Sequence, residues 1–466
     1  MQDLIRFVRT TGIYLVGNVL IKIISFLLLP IYTKYLPPAS YGTYDLNTAY
    51  ITFLSSILFL DIWGGILRFM FDYKKEAEKA NVVKAGCVIF TISTLVYSIA
   101  VILLGSIMGI EYKCWLLLFG LLTNIQQVMG FVSRGYGKNK MFALAGVLSS
   151  CITIICNIWF IVVMKGSYQF LYISSCIGAM TGIIIMGRAV KLTHILKYKR
   201  LDVSLLKAMV VYSLPLSINS AAYWFLSSFN KVLIRYKLSV AENGLYAIAN
   251  KFTGIISLFT QCFQMAWQEL TFSKANKSKA EMAAFYTTAF QEYIEFMTLG
   301  CTGIIPCVKI FFPLLVDASY LNAEPLIPVA ILAALFSCVS SFLGSILSTL
   351  KKNRSIFTTT LAGSIVNVFI AVIAMNFMGV QAANIALALG YLVIDIRRFL
   401  LIKKYVYIKV NWKLLVALFF QVLFSCKIYF SFNLFYNGIF IVLLCCEAII
   451  IYKDKIKMFY TGRGNL

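Results

Sequence analysis

Apolar residues run along this chain in blocks of about twenty. At 1.5 Å rise per residue, such a block crosses the ~30 Å hydrocarbon core of a bilayer as an α-helix. The blocks predict helices near 10–34, 43–68, 84–109, 114–134, 142–164 and 169–190, then near 209–236, 243–267, 288–315, 326–350, 355–377, 380–402, 413–430 and 433–452. A membrane barrel would show about ten-residue stretches of alternating polarity, and the long apolar runs do not fit that pattern. The expected fold class is therefore an all-α polytopic membrane protein with about fourteen transmembrane helices.

Inside the blocks, polar residues recur at helical spacing and so mark faces turned away from lipid, where a polar group is costly. Asn18, Lys22 and Ser25 make one stripe on the first helix, and Asn47, Thr48, Thr52, Ser55, Asp61 and Arg68 mark the second. At an offset of 202 the seventh helix carries Ser220, Trp224 and Ser227, with Lys231 and Arg235 beyond them. The eighth carries Asn250, Gly254, Ser257, Gln261, Gln264 and Gln268. These helices are expected to line a wet cleft between two lobes, with Lys22, Arg68, Lys231, Arg235 and Lys309 as its cations. Lys22 stands near mid-span, where a lysine costs roughly 2.5–3.5 kcal/mol, so it requires an anionic ligand or a counter-ion such as Asp61. Lys34, Lys237 and Lys251 lie near helix ends and are assigned to snorkelling. Among the acids, Asp61 and Glu295 are the candidates for a coupling proton or sodium ion. Glu292, Asp395 and Glu447 read as interfacial anchors.

Two segments repeat. Leu36 to Leu46 reads LPPASYGTYDL and Leu238 to Ile248 reads LSVAENGLYAI, in register at the same offset of 202. Gly42-Thr43-Tyr44 thus aligns with Gly244-Leu245-Tyr246. Each segment is expected to form the turn between the first two helices of a six-helix unit, with glycine permitting the turn and tyrosine at the membrane interface. The domain organisation that follows is an N-terminal lobe over 1–200, a C-terminal lobe over 201–405, and two further helices with a basic tail over 406–466.

Composition narrows the class. Hydrophobic residues make up 61% of the 466 and charged residues 13%, against about a quarter charged in soluble domains. The mean hydropathy is +0.85. A net charge of +24 would suit a nucleic-acid binder if it formed one patch, but Lys and Arg recur at every second gap between blocks, as cytoplasmic loops do. Nucleic acid is therefore excluded as a partner. Arg6 and Arg9, Lys138 and Lys140, Arg397, Arg398 and Lys403, and Lys453 to Lys457 all fall on that side. Both termini are expected in the cytoplasm. The run after Arg9 is too long for a signal-peptide core and is read as a retained first helix.

No catalytic signature is present. The single histidine, His194, rules out HExxH, and neither a phosphate-binding GxxxxGK[ST] nor a GxSxG occurs. Twelve cysteines are scattered through the blocks without a CxxC pair, as small apolar residues would be. With short outer loops, these features favour transport over catalysis and call for no cofactor beyond a coupling H+ or Na+.

A family resemblance rests on Tyr35-Leu36-Pro37 with Tyr41-Gly42, Leu67-Arg68-Phe69, Tyr212-Ser213-Leu214-Pro215-Leu216 with Asn219, and Asn230-Lys231. It continues through Asn243-Gly244-Leu245-Tyr246, Ala266-Trp267-Gln268, Lys351-Lys352-Asn353 and Gly379-Val380-Gln381-Ala382-Ala383. Over about 10–405 the chain resembles the Wzx polysaccharide flippases of the multidrug/oligosaccharidyl-lipid/polysaccharide exporter superfamily. It departs from them at Asn230, where the family often has an acid. The resemblance implies two six-helix lobes that alternate between inward-open and outward-open states. It also implies movement of an undecaprenyl-pyrophosphate-linked oligosaccharide, such as an O-antigen repeat unit, across the bacterial cytoplasmic (inner) membrane. A polysaccharide polymerase and a chain-length regulator are the implied protein partners. The cleft cations would attract the pyrophosphate, while Asn18, Ser25, Ser220, Trp224, Asn250, Gln261 and Gln264 would accommodate sugars. The competing readings are a lipid II flippase, a multidrug cation antiporter and a membrane polysaccharide polymerase.

Overall fold

A computed structural model describes residues 26, 28–197, 202–273 and 279–460. Among them every regular element is helical. The first eleven α-helices are α1 (Leu29–Tyr35), α2 (Pro38–Leu58), α3 (Ile62–Met70), α4 (Glu76–Ile107), α5 (Lys113–Gly135), α6 (Asn139–Asn157), α7 (Gln169–Val190), α8 (Leu192–Lys197), α9 (Val203–Ser227), α10 (Phe229–Lys237) and α11 (Val240–Ser273). A π-helical turn, Ile158–Val163, extends α6. Then come α12 (Lys279–Leu315), a 3-10 segment Ala318–Leu326, α13 (Ile327–Thr349), α14 (Asn353–Met378), α15 (Gln381–Lys403), α16 (Trp412–Ser431) and α17 (Leu434–Tyr460).

Local chemistry sets several of these boundaries. Pro38 opens α2 at a position where no backbone donor is needed and φ is already helical. Asp202 caps α9 by accepting from the amides of Ser204 and Leu205. Hydrogen bonds from Ser204 and from the Leu205 amide hold the Asp202 carboxyl below the usual carboxylate range. After α5, Gly137 takes φ +71°, and Lys138 N donates to Ser133 O at 2.8 Å while Gly137 N donates to Arg134 O at 2.9 Å. That pair of bonds is a Schellman stop.

Ten helices among the described residues are long and apolar enough to cross a membrane, eleven if the bent pair α2 and α3 is one span. The chain is a multi-pass helical membrane protein. The first helix expected from the sequence, 10–34, lies largely outside the described residues.

Three expectations of continuity or turn fail. The second helix begins at Pro38 rather than 43 and breaks after Leu58, with α2 and α3 bent by 49°. Leu60 and Asp61 hold left-handed φ of +54° and +52°. The seventh helix divides at Ser228 into α9 and α10. Gly42 and Gly244 lie inside α2 and α11, not in turns. Both aligned tyrosines are helical as well, and Tyr246 is buried.

The chain packs as two compact units, Met1–Ala247 with Ala371–Asn376, and Ile248–Ile370 with Phe377–Leu466. In the first, Phe59 and Tyr97 pack ring against ring at 5.2 Å, both fully buried. In the second, Phe342 stacks on Trp267 at 4.6 Å and on Tyr293 at 5.0 Å.

Candidate functional site

Within the first unit, α9 and α10 are fastened along α2 and α3 by polar side chains that reach across. Ser217 Oγ donates to the Ser56 carbonyl at 2.7 Å, satisfying an acceptor that the break in the helix leaves without its ladder partner. Ser220 Oγ donates to Asp61 Oδ2 at 3.0 Å, and Trp224 Nε1 donates to the Ala49 carbonyl at 2.9 Å. Lys231 Nζ pairs with Asp45 Oδ1 at 2.9 Å. No water competes for such groups in hydrocarbon, so a donor on one helix finds its acceptor on the next.

The seam ends where α2 and α11 touch backbone to backbone. A Cβ on Gly42 would overlap the Val240 carbonyl oxygen and the Gly244 backbone, and a Cβ on Gly244 would overlap the Pro38 carbonyl. Asn243 Nδ2 locks the contact by donating to the Gly42 carbonyl at 2.8 Å. The glycines of the sequence repeat are therefore required for close approach, not for turning the chain.

Of the sequence-selected residues, Asn18, Lys22 and Ser25 lie outside the described residues, so the expected Lys22–Asp61 pair does too. The structure brings together two others, Asp61 and Ser220. Trp224 is buried against Phe53, with centroids 4.4 Å apart, and packs more than it lines. Arg68, in the last turn of α3, is exposed and pairs with Asp72 at 2.5 Å. Arg235 lies beside the Tyr50 hydroxyl. Lys237 has more specific partners than snorkelling supplies: its Nζ donates to the Val372 carbonyl at 2.6 Å and to Asn376 Oδ1 at 2.9 Å.

In the second unit, Lys309 pairs with Glu324 at 2.6 Å and sits 5.0 Å from the centre of the Tyr429 ring. Tyr429 in turn donates to the Glu324 carbonyl at 2.9 Å, so this cation ties α12 to α16. Gln264 donates to the Ser341 carbonyl at 3.4 Å, Asn250 is half-buried and Gln261 is exposed. Glu295 lines a groove of about 700 Å³ between α12, α16 and α17 with Lys427 and Phe440, where Gln421 Nε2 donates to Glu447 Oε2 at 2.8 Å. A second groove, about 480 Å³ and walled by carbon, lies between α11, α12 and α17.

Sequence reasoning missed Arg398. Counted there among cytoplasmic loop charges, it lies inside α15 and is 6% exposed. Its guanidinium donates to the Ser340 carbonyl at 2.6 Å, to Ser340 Oγ at 3.0 Å, to Thr360 Oγ1 at 3.0 Å and to Thr359 Oγ1 at 3.2 Å. Gly344 leaves the room that NH1 occupies. Asp395, read as an interfacial anchor, is buried beside it as the countercharge. The available signal was the Asp-x-x-Arg spacing on one helix face, which the neighbouring Arg397 and Lys403 obscured. Among the described residues no group of three or more His, Cys, Asp or Glu is arranged to hold a metal.

Solved structures place this architecture. An inward-facing multidrug resistance MATE family transporter of the MOP superfamily matches with a TM-score of 0.70 at 16% identity, covering 82% of this chain and 93% of its own. The lipid II flippase MurJ in an inward closed conformation also matches with a TM-score of 0.70, at 15% identity, covering 95% of this chain and 99% of its own. A Vibrio cholerae MATE transporter matches with a TM-score of 0.57 at 13% identity, over 85% of this chain and 95% of its own. The chain thus shares the fold of these transporters and of this flippase. No curated protein matches it. Residues 7–267, more than half the chain, match the family of polysaccharide biosynthesis proteins, and the chain belongs to that family.

Proposed function

We propose that the chain flips an undecaprenyl-pyrophosphate-linked oligosaccharide from the inner to the outer leaflet of the bacterial cytoplasmic membrane, by alternating access and with both termini in the cytoplasm. The observation that carries this reading is the polysaccharide-family match over 7–267 on a transporter fold. The chemistry of the two units supports it. A polyprenyl tail requires carbon walls, which the groove between α11, α12 and α17 supplies. A pyrophosphate requires cations, and Lys231 and Arg235 stand one helical turn apart on α10. An arriving dianion would compete with Asp45 for Lys231 through charge-assisted bonds. Asp61 and Glu295 are the proposed carriers of a coupling proton or sodium ion. A polymerase and a chain-length regulator would act on the product.

A second reading, a lipid II flippase, is favoured by the likeness to MurJ over 95% of the chain. Reconstitution of the full chain into vesicles separates the two. Undecaprenyl-pyrophosphate-linked oligosaccharide is expected to reach the opposite leaflet faster than in protein-free vesicles. Arg235→Ala should slow it about tenfold, the worth of one charge-assisted hydrogen bond. Movement of lipid II alone would transfer the assignment to the second reading, and movement of neither lipid would refute both.

A further inference from the structure

The first unit holds a cavity of another kind, an open one of about 330 Å³ between α1, α5, α6 and α7, lined by polar and apolar groups without a single charge. Its wall is built rather than accidental. Asn157, 3% exposed, closes α6 just before the π-helical turn, a distortion that often re-aims side chains at functional sites. Its Nδ2 donates to Tyr32 Oη at 2.8 Å, while its Oδ1 is buried with no partner. Two glycines of α7 are given up to seat polar side chains: a Cβ on Gly178 would overlap Thr153 Oγ1, and one on Gly182 would overlap Gln126 Nε2. Gln126 donates to Ser149 Oγ at 3.0 Å, and Ser149 passes the tie on to the Gly178 carbonyl at 2.6 Å.

The hydroxyls are oriented as well. Thr123, Ser150 and Thr153 each donate to the carbonyl four residues back, at 2.8, 2.9 and 2.9 Å. Their hydrogens are spent on the helices, so the three hydroxyls present lone pairs to the cavity that they line. Such a wall accepts hydrogen bonds and offers Phe119 and Tyr32 as apolar ring faces. A bare cation would find no carboxylate here, and the space is about ten times the ~30 Å³ share of one water. It sits at the small end of ligand sites. Donor-rich, neutral and ring-sized describes a sugar.

We propose that this cavity binds a neutral, hydroxyl-rich ring of the transported saccharide. The inference rests on the flippase reading for the identity of that saccharide. The test compares two probes bound by the full chain in lipid nanodiscs: bare undecaprenyl pyrophosphate, and the same lipid carrying the oligosaccharide extracted from the source cells. Thr123→Val and Ser150→Ala change no packing volume of consequence and should each weaken the glycosylated probe about fivefold, one hydrogen bond apiece, with the bare lipid unaffected. Asn157→Leu should weaken it further, and the two milder variants keep the test decisive should Asn157→Leu fold poorly. Equal losses for both probes, no loss for either, or a lost sodium-dependent thermal stabilisation in place of a lost sugar preference would overturn the proposal. Selective loss in a chain that moves nothing across vesicles would support the cavity and refute the flippase reading.

Discussion

Glycine serves opposite ends in the two units. At the end of the first unit's seam, Gly42 and Gly244 are pressed against carbonyl oxygens of the opposing helix, and any side chain there must push a backbone. In the second unit, Gly300 and Gly303 line an apolar groove, and a Cβ at either would meet nothing within 4 Å. The first arrangement closes protein on protein. The second leaves an apolar groove of about 480 Å³ open between helices. Where a helix pair must hold its register, absent side chains bring backbones together. Where a groove stays open, they leave its wall low.

The largest test of this contrast is Gly42→Val. The obstacle is backbone and cannot rotate aside, so a loss of about 3 kcal/mol is expected, at the upper end of ordinary overpacking. Thermal unfolding in detergent would read it, and an unchanged midpoint would show that the crossing yields. Ser220→Ala removes one rung of the seam and leaves Asp61 without that donor, which should cost about 1 kcal/mol by the same measurement. Asp61→Asn retains the acceptor and should cost less than Ser220→Ala. The smallest effect has the opposite sign. Gly300→Ala should stabilise α12 by roughly 0.5–1 kcal/mol through helix propensity, while the bulkier Gly300→Leu should slow transport without unfolding the protein. A destabilised Gly300→Ala would mean that the groove is packed by protein after all.

Much of the architecture was legible because it is local. Runs of about twenty apolar residues located nearly every helix, and the offset of 202 singled out Gly42 and Gly244, which meet in space. The polar stripe on the seventh helix included Ser220, whose hydroxyl donates to Asp61, because hydroxyls on one face of a membrane helix must find acceptors. What failed depends on neighbours. Nothing in Phe59-Leu60-Asp61 advertises a break: no proline or glycine stands there, and the bend survives because Ser217 and Ser220 of α9 take up the loosened groups. The cations were legible as cations, but not their partners. Asp45 and Glu324 meet Lys231 and Lys309 only after the helices pack. Arg398 was hidden by its charged neighbours, since a count of basic residues cannot separate one that snorkels from one that turns inward.

The crossing of α2 and α11 has a form more familiar between molecules than within one. Gly42 meets the carbonyl of Val240, and Gly244 meets that of Pro38. Each residue of one pair stands 202 positions from its counterpart in the other. Reciprocity of this sort, in which one patch recognises itself, is the signature of an isologous dimer contact about a two-fold axis. A half-length ancestor bearing a single Tyr-Gly segment would need no second surface to make this contact, only a second copy of itself. Two such copies joined in one chain would be free to differ at Lys231, Asn243 and Asp45, and a symmetric handshake could become an asymmetric clasp.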